Sequence, residues 1–164
     1  MKRFVSEQVI VIAGGSSGIG RATARAAGER GAKVVVSARN AEALASAVAE
    51  IEARGGEALA VPADATSADD AERLCERAVE RFGRIDTFVA TVMVTVYAEA
   101  EQLEADELHR VMDANFLGRV HAYRAALPHL RASGGTFSRR RRAASTSKRP
   151  GSSRRGTGAA STSA

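Results

Sequence analysis

The sequence predicts a doubly wound α/β fold on a parallel sheet, and three observations carry that prediction. Short β-branched runs and longer Ala-rich segments alternate four times over the first 137 residues. Val9-Ile10-Val11-Ile12 and Val34-Val35-Val36 are apolar without alternation, as strands buried on both faces should be. The first of these runs leads directly into a glycine-rich turn and then a helical pattern, the start of a right-handed βαβ unit.

The first strand closes at Gly14-Gly15, and an Ala-rich helix runs from Ile19 to Arg30, where Gly31 ends it. After the second strand, Asn40 can cap a helix from Ala41 to about Arg54, stopped by Gly55-Gly56. Ala58 to Val61 is a weaker third strand before Pro62. Ser67 and Asp70 resemble a capping box with Asp in place of Glu. The helix they open carries Ala71, Leu74, Cys75, Ala78 and Phe82 on one face and ends at Gly83. Ile85 to Val92 is the fourth strand. One long helix is expected from about Glu104 to Leu130, with Pro128 distorting its last turn. Its apolar stripe is Leu108, Met112, Phe116, Val120, Tyr123, Leu127 and Leu130.

Gly134 to Phe137 begins a fifth strand, and there the pattern stops. Residues 138–164 use only Arg, Lys, Pro, Ala, Ser, Thr and Gly, and Ala-Ala-Ser-Thr-Ser occurs at 143 and again at 159. Nothing in that alphabet packs a core, so 1–137 is expected to be the domain and 138–164 a disordered tail. Without completed later strands, strand 4 is expected to keep an open edge and part of the last helix's stripe to lack a partner.

Charge follows the same boundary. The chain has 24 Lys+Arg against 19 Asp+Glu, a net +5. Eight basic and no acidic residues lie in the tail, which leaves 16 basic against 19 acidic groups in the domain. A globally basic nucleic-acid binder is therefore not implied, although Arg139 to Arg142 could meet phosphates through charge. No aromatic interleaves those arginines to stack on bases. One cysteine, Cys75, excludes an internal disulfide framework and a zinc ribbon, and it reads as an inert core residue. His109, His121 and His129 lack metal-ligand spacing, so no metal site is expected. The longest largely apolar stretch, Phe88 to Ala98, is about half of what a membrane helix needs. The N-terminal residues lack a secretory pattern, so a cytoplasmic protein without membrane contact is expected.

The sharpest motif is Val11-Ile12-Ala13-Gly14-Gly15-Ser16-Ser17-Gly18-Ile19-Gly20, between strand and helix. A dinucleotide's pyrophosphate needs close backbone approach, N–H groups aimed at it and a positive helix end behind it. Gly14, Gly18 and Gly20 permit the approach, and the Ser16 and Ser17 hydroxyls can add hydrogen bonds. An ordinary βα turn is the plain alternative. Gly14-x-x-x-Gly18-Ile19-Gly20 resembles the nucleotide-binding signature of the short-chain dehydrogenase/reductase family, with Ala13 where the family normally has Thr. The resemblance extends from Val5 to about Phe137 and implies a Rossmann-like sheet of order 3-2-1-4 with an incomplete fifth strand.

The resemblance also implies roles. Asp64-Ala65 matches the pair that holds the adenine ring, and Asn115 matches the helix-borne catalytic Asn of the proton relay. A buried, hydrogen-bonded structural Asn is the alternative there. At the end of strand 2 an Asp would bond the ribose 2′-OH, whereas an Arg would pair with a 2′-phosphate. Ala38, Arg39 and Asn40 stand there, so NADP is expected over NAD. The family's Asn-Asn-Ala-Gly after strand 4 is replaced by Ala90-Thr91-Val92-Met93, where the backbone from Ala90 would still border the cofactor.

In the family the fifth strand leads to a catalytic Ser and then a Tyr-x-x-x-Lys pair. The only tyrosines here are Tyr97 and Tyr123, and neither has Lys four residues on. Three readings follow. One is an NADP-dependent oxidoreductase exchanging hydride with a carbonyl or alcohol; another is a non-catalytic nucleotide-binding remnant, truncated or frameshifted; the third is a nucleic-acid binder acting through the tail. The Arg-, Ala- and Ser-rich tail matches out-of-frame reading of GC-rich DNA. Substrate and oligomeric state, a homo-oligomer included, are left open by the residues.

Overall fold

β-Branched side chains favour extended backbone, and the two Val/Ile runs form the centre of the sheet. In the computed structural model, which describes residues 3–139, β1 (Val9–Ala13) lies between β2 (Lys33–Ala38) and β4 (Thr87–Ala90). β3 (Glu57–Pro62) and β5 (Thr136–Arg139) form the outer positions, giving the order β3-β2-β1-β4-β5 with every pair parallel. The fifth strand is therefore present. It pairs Phe137 with Phe88 and Ser138 with Val89, so the edge of β4 is covered and the outer edge passes to β5. Ser138 and Arg139 belong to this strand rather than to the tail, because backbone pairing with β4 holds them whatever their composition. The expected disorder of residues 140–164, and their proposed contact with nucleic acid, fall outside the described residues.

Helices cover both faces. α1 (Gly18–Gly28) and α2 (Ala41–Glu52) pack on one side, where Ile10, Ile12, Val34, Val36, Leu44 and Ile51 are buried. α3 (Ala68–Phe82) covers the other side with Leu74, Cys75 and Ala78 against Val11, Val35 and Phe88. Asn40 caps α2 by accepting from the Ala43 N–H at 2.9 Å. Ser67 caps α3 at the Asp70 N–H, but the reciprocal half of the capping box is missing. The Asp70 carboxylate instead accepts from the Asp64 N–H at 2.6 Å, fastening the loop after β3.

The single long helix is two helices. α4 (Ala105–Met112) passes through a π-helical turn at Asp113–Leu117 into α5 (Gly118–Ser133), which continues through Pro128. Leu108, Met112, Phe116, Val120 and Tyr123 are all exposed, and Phe116 is 57% so. Of the expected stripe Leu130 is buried, and the face turned to the core runs from it back through Ala126, Ala122, Gly118 and Ala114. Small residues win because the helix passes close to other backbone: a Cβ on Gly118 would strike the Ala65 carbonyl.

One buried carboxylate organises the amino end of the sheet. Asp86, 5% exposed, accepts from the Val9 N–H at 2.8 Å and from the guanidiniums of Arg3 and Arg84, each at 2.9 Å. Sequence patterning placed Asp86 inside a strand expected over Ile85 to Val92 and did not single it out; the strand begins at Thr87, and Asp86 stands just before it.

Candidate nucleotide-binding cleft

At the carboxyl ends of β1, β2 and β4 the chain turns away in different directions and leaves a cleft. Its volume is about 720 Å³, within the range of small-molecule sites. Gly14, Ser16, Ser17, Gly18, Ile19 and Gly20 form one wall, and Arg39, Asn40, Asp64 and Ala65 another. Ala90 does not line it; buried at 3% exposure, it faces a small adjoining cavity beneath. Asn115 also lies off the cleft lining.

The glycine turn is held tightly. Gly14 and Gly15 both donate their N–H to the Ser37 carbonyl, at 2.8 and 3.0 Å. Gly14 has φ +88°, open to glycine and strained for other residues. A Cβ on Gly20 would collide with the Gly14 carbonyl, so α1 starts against the backbone of the turn. Ser17 stands at the N-cap of α1 without a side-chain hydrogen bond to the first turn. The first-turn amides thus have no cap from that side chain and look toward the cleft, a donor set suited to an anion. Ser16 is half-buried and Ser17 exposed beside them.

Across the cleft, the Asp64 carboxylate accepts from the Thr66 N–H at 2.9 Å and its hydroxyl at 2.8 Å. These two bonds, with a smaller contribution from the nearby Arg39 cation, hold its pKa below the ordinary 3.8. Asp64 is therefore an anion and an acceptor at neutral pH. Arg39 is exposed at the cleft rim. The side chain of Asn40 is committed to capping α2, so its part in the lining is a backbone one.

Asn115 sits in the π-helical turn. Its Oδ1 accepts from the Val94 N–H at 2.9 Å, and its Nδ2 donates to the Val94 carbonyl at 2.7 Å. The amide thereby fixes the loop after β4 against the helix, and one N–H and one lone pair are left over. Sequence reasoning passed over other residues of the lining, Ser37, Val94, Arg110 and Asp113, and gave no role to the side chain of Thr91. Position alone could have flagged Ser37 and Thr91, since each sits at the end of a strand beside the switch point.

Among the described residues no group of His, Cys, Asp and Glu could hold a metal ion, and no helix is long and apolar enough to cross a membrane. Cys75 is buried, and its thiol pKa is pushed up to about 12, first by burial and then by Glu76 and Glu72.

The chain is similar to known proteins in sequence and in fold. The chain is 44% identical over 125 residues to the uncharacterized oxidoreductase YxnA of Bacillus subtilis, covering 76% of this chain and 35% of that one. It is 37% identical over 115 residues to the 3-oxoacyl-[acyl-carrier-protein] reductase of Synechocystis, covering 70% and 47%. Among solved structures, an alcohol dehydrogenase from Thermococcus sibiricus complexed with 5-hydroxy-NADP superposes with a TM-score of 0.77 at 31% identity. That match covers 80% of this chain and 57% of the other. The chain thus spans between about a third and somewhat over half of these relatives' length. A family model described as short chain dehydrogenase matches residues 8–137, the whole of the sheet up to Phe137. On sequence, topology and the placement of the glycine turn, the chain belongs to the short-chain dehydrogenase family of oxidoreductases.

Proposed function

We propose that this chain binds NADP(H) in the cleft at the carboxyl ends of β1, β2 and β4, and that its 164 residues do not by themselves turn over carbonyl or alcohol substrates. The observation that carries the first half is the convergence of the glycine turn, Arg39 and Asp64-Ala65 on one cleft. The residues fit such a group: a Cβ on Gly20 would strike the Gly14 carbonyl, so only glycine lets α1 start this close to the turn, and the first turn of α1 offers donors that the Ser17 side chain leaves uncapped. When bound, the dinucleotide supplies the hydride exchanged with a carbonyl or alcohol carbon. The first-turn amides and the Ser16 and Ser17 hydroxyls would hold the pyrophosphate, and Gly14, Gly18, Ile19 and Gly20 would form its bed; the part expected of Ala90 is not supported, since it lies off the cleft lining. Asp64 and Ala65 meet the adenine edge. Ala38 withdraws the carboxylate that would repel a 2′-phosphate, and Arg39 supplies its cation.

Asn115 retains one free N–H and one lone pair, enough for a place in a proton relay. The relay is incomplete in these residues, because neither tyrosine is followed by a lysine four positions on. Groups that act as a unit lose most of their effect when one is missing.

Titration of the purified chain and of Arg39→Ala with NADPH and NADH tests the proposal. The parent should prefer NADPH by about ten- to a hundredfold, and the variant should lose that preference. Equal affinities in the parent would refute the NADP assignment. Oxidation of NADPH over a panel of ketones should not exceed background; turnover matching a full-length relative would refute the second half.

A further inference from the structure

We propose that Thr91 is the positioning residue of the phosphate-facing turn, its hydroxyl setting where the Gly14–Gly20 backbone lies. The consequence for affinity rests on the dinucleotide-binding reading of the cleft. Thr91 is the first residue beyond β4, and its N–H donates to the Ala13 carbonyl at 2.9 Å, extending the β1–β4 pairing by one step. Its Oγ1 lies 2.8 Å from the same carbonyl and 3.2 Å from that of Gly14. One hydroxyl proton serves both: it donates in the shorter contact and has the Gly14 carbonyl as its alternative.

The two glycines make room for this hydroxyl. A Cβ on Gly14 would come within 2.6 Å of Thr91 Oγ1, and one on Gly20 within 2.7 Å. A single oxygen just beyond β4 therefore reaches the Ala13 carbonyl at the start of the turn and the Gly14 carbonyl within it, and lies against Gly20 in the first turn of α1. Gly14 and Gly15 are tied from the other side to Ser37 on β2. The turn is held between two strands, and Thr91 is the side chain in that clamp. Valine at position 91 keeps the shape but places a methyl against two carbonyls, leaving Gly14 without its side-chain donor and Ala13 with only the amide.

The test compares the full chain with Thr91→Val and Thr91→Ser by hydrogen exchange and by NADPH titration. In Thr91→Val the amides of residues 14–20 should exchange about tenfold faster while those of Val34–Val36 stay at the parent rate, and NADPH should bind about tenfold more weakly. Thr91→Ser should restore both to within about twofold. Parent-like exchange in Thr91→Val, exchange raised uniformly across the sheet, or a serine variant that behaves like valine would each overturn the proposal. So would local loosening without loss of affinity in a parent that binds NADPH. Absence of NADPH binding by the parent would refute the cofactor reading, and the exchange comparison would then decide the role of Thr91 alone.

Discussion

From β1 to α3 most large apolar side chains point inward, Ile19 excepted; from α4 to α5 most point outward, Leu130 excepted. Leu44, Ile51 and Leu74 are buried on their helices, whereas Leu108, Met112, Phe116 and Tyr123 lie exposed and Ala114, Gly118, Ala122 and Ala126 take the interior. The difference lies in what each helix passes. α2 and α3 rest on the sheet through side chains and need bulk to fill the gap, while α5 also runs against α3 and the Ala65 backbone and needs to come close. Amphipathicity gives a helix an apolar face, but the separation from its neighbours chooses between faces of equal spacing.

Two phenylalanines are the sharpest way to break this comparison. Phe88 is fully buried and stacks on Phe137 with ring centroids 5.3 Å apart. Phe88→Ala should cost about 3–5 kcal/mol in denaturant unfolding, enough to unfold a marginal domain. Gly20→Ala should cost about 1–3 kcal/mol by overpacking and should abolish NADPH binding outright, since the Gly14 carbonyl must move. Phe116→Ala should shift stability by no more than about 0.5 kcal/mol, because that side chain is already more than half exposed. A loss there as large as at Phe88 would show that the exposed stripe is covered in solution.

The smallest effect concerns pH. The carboxyl of Asp64 titrates below 3.8 in the folded chain because Thr66 bonds its charged form. Its contribution is therefore complete above that value and is lost as the pH falls through the lower, folded pKa. Thr66→Val should be less stable than the parent at pH 7, and the gap should close below about pH 4. A gap that stays constant in acid would mean that Thr66 acts through packing rather than through Asp64.

Much of the site was legible because it is local. The glycine turn and the Asn40 cap each depend on a few consecutive residues whose conformational preferences act without help from distant chain. β5 was harder to delimit: Ser138 and Arg139 have a tail's composition, yet partners on β4 make them a strand. The pairing of Asn115 with Val94 joins residues 21 positions apart, and the bonds of Asp86 to Val9 and Arg3 span 77 and 83, and no pattern in the sequence reports such contacts.

By itself the sequence determined the alternation of strands and helices, because side-chain branching and apolar period act within a few residues. It also determined the glycine turn and the charge beside it. Tertiary structure alone decided which stripe of the last helices faces inward, that a π-helical turn divides them, and that Thr91 reaches the turn after β1. Those outcomes depend on distances between backbones far apart in the chain, and only packing sets such distances.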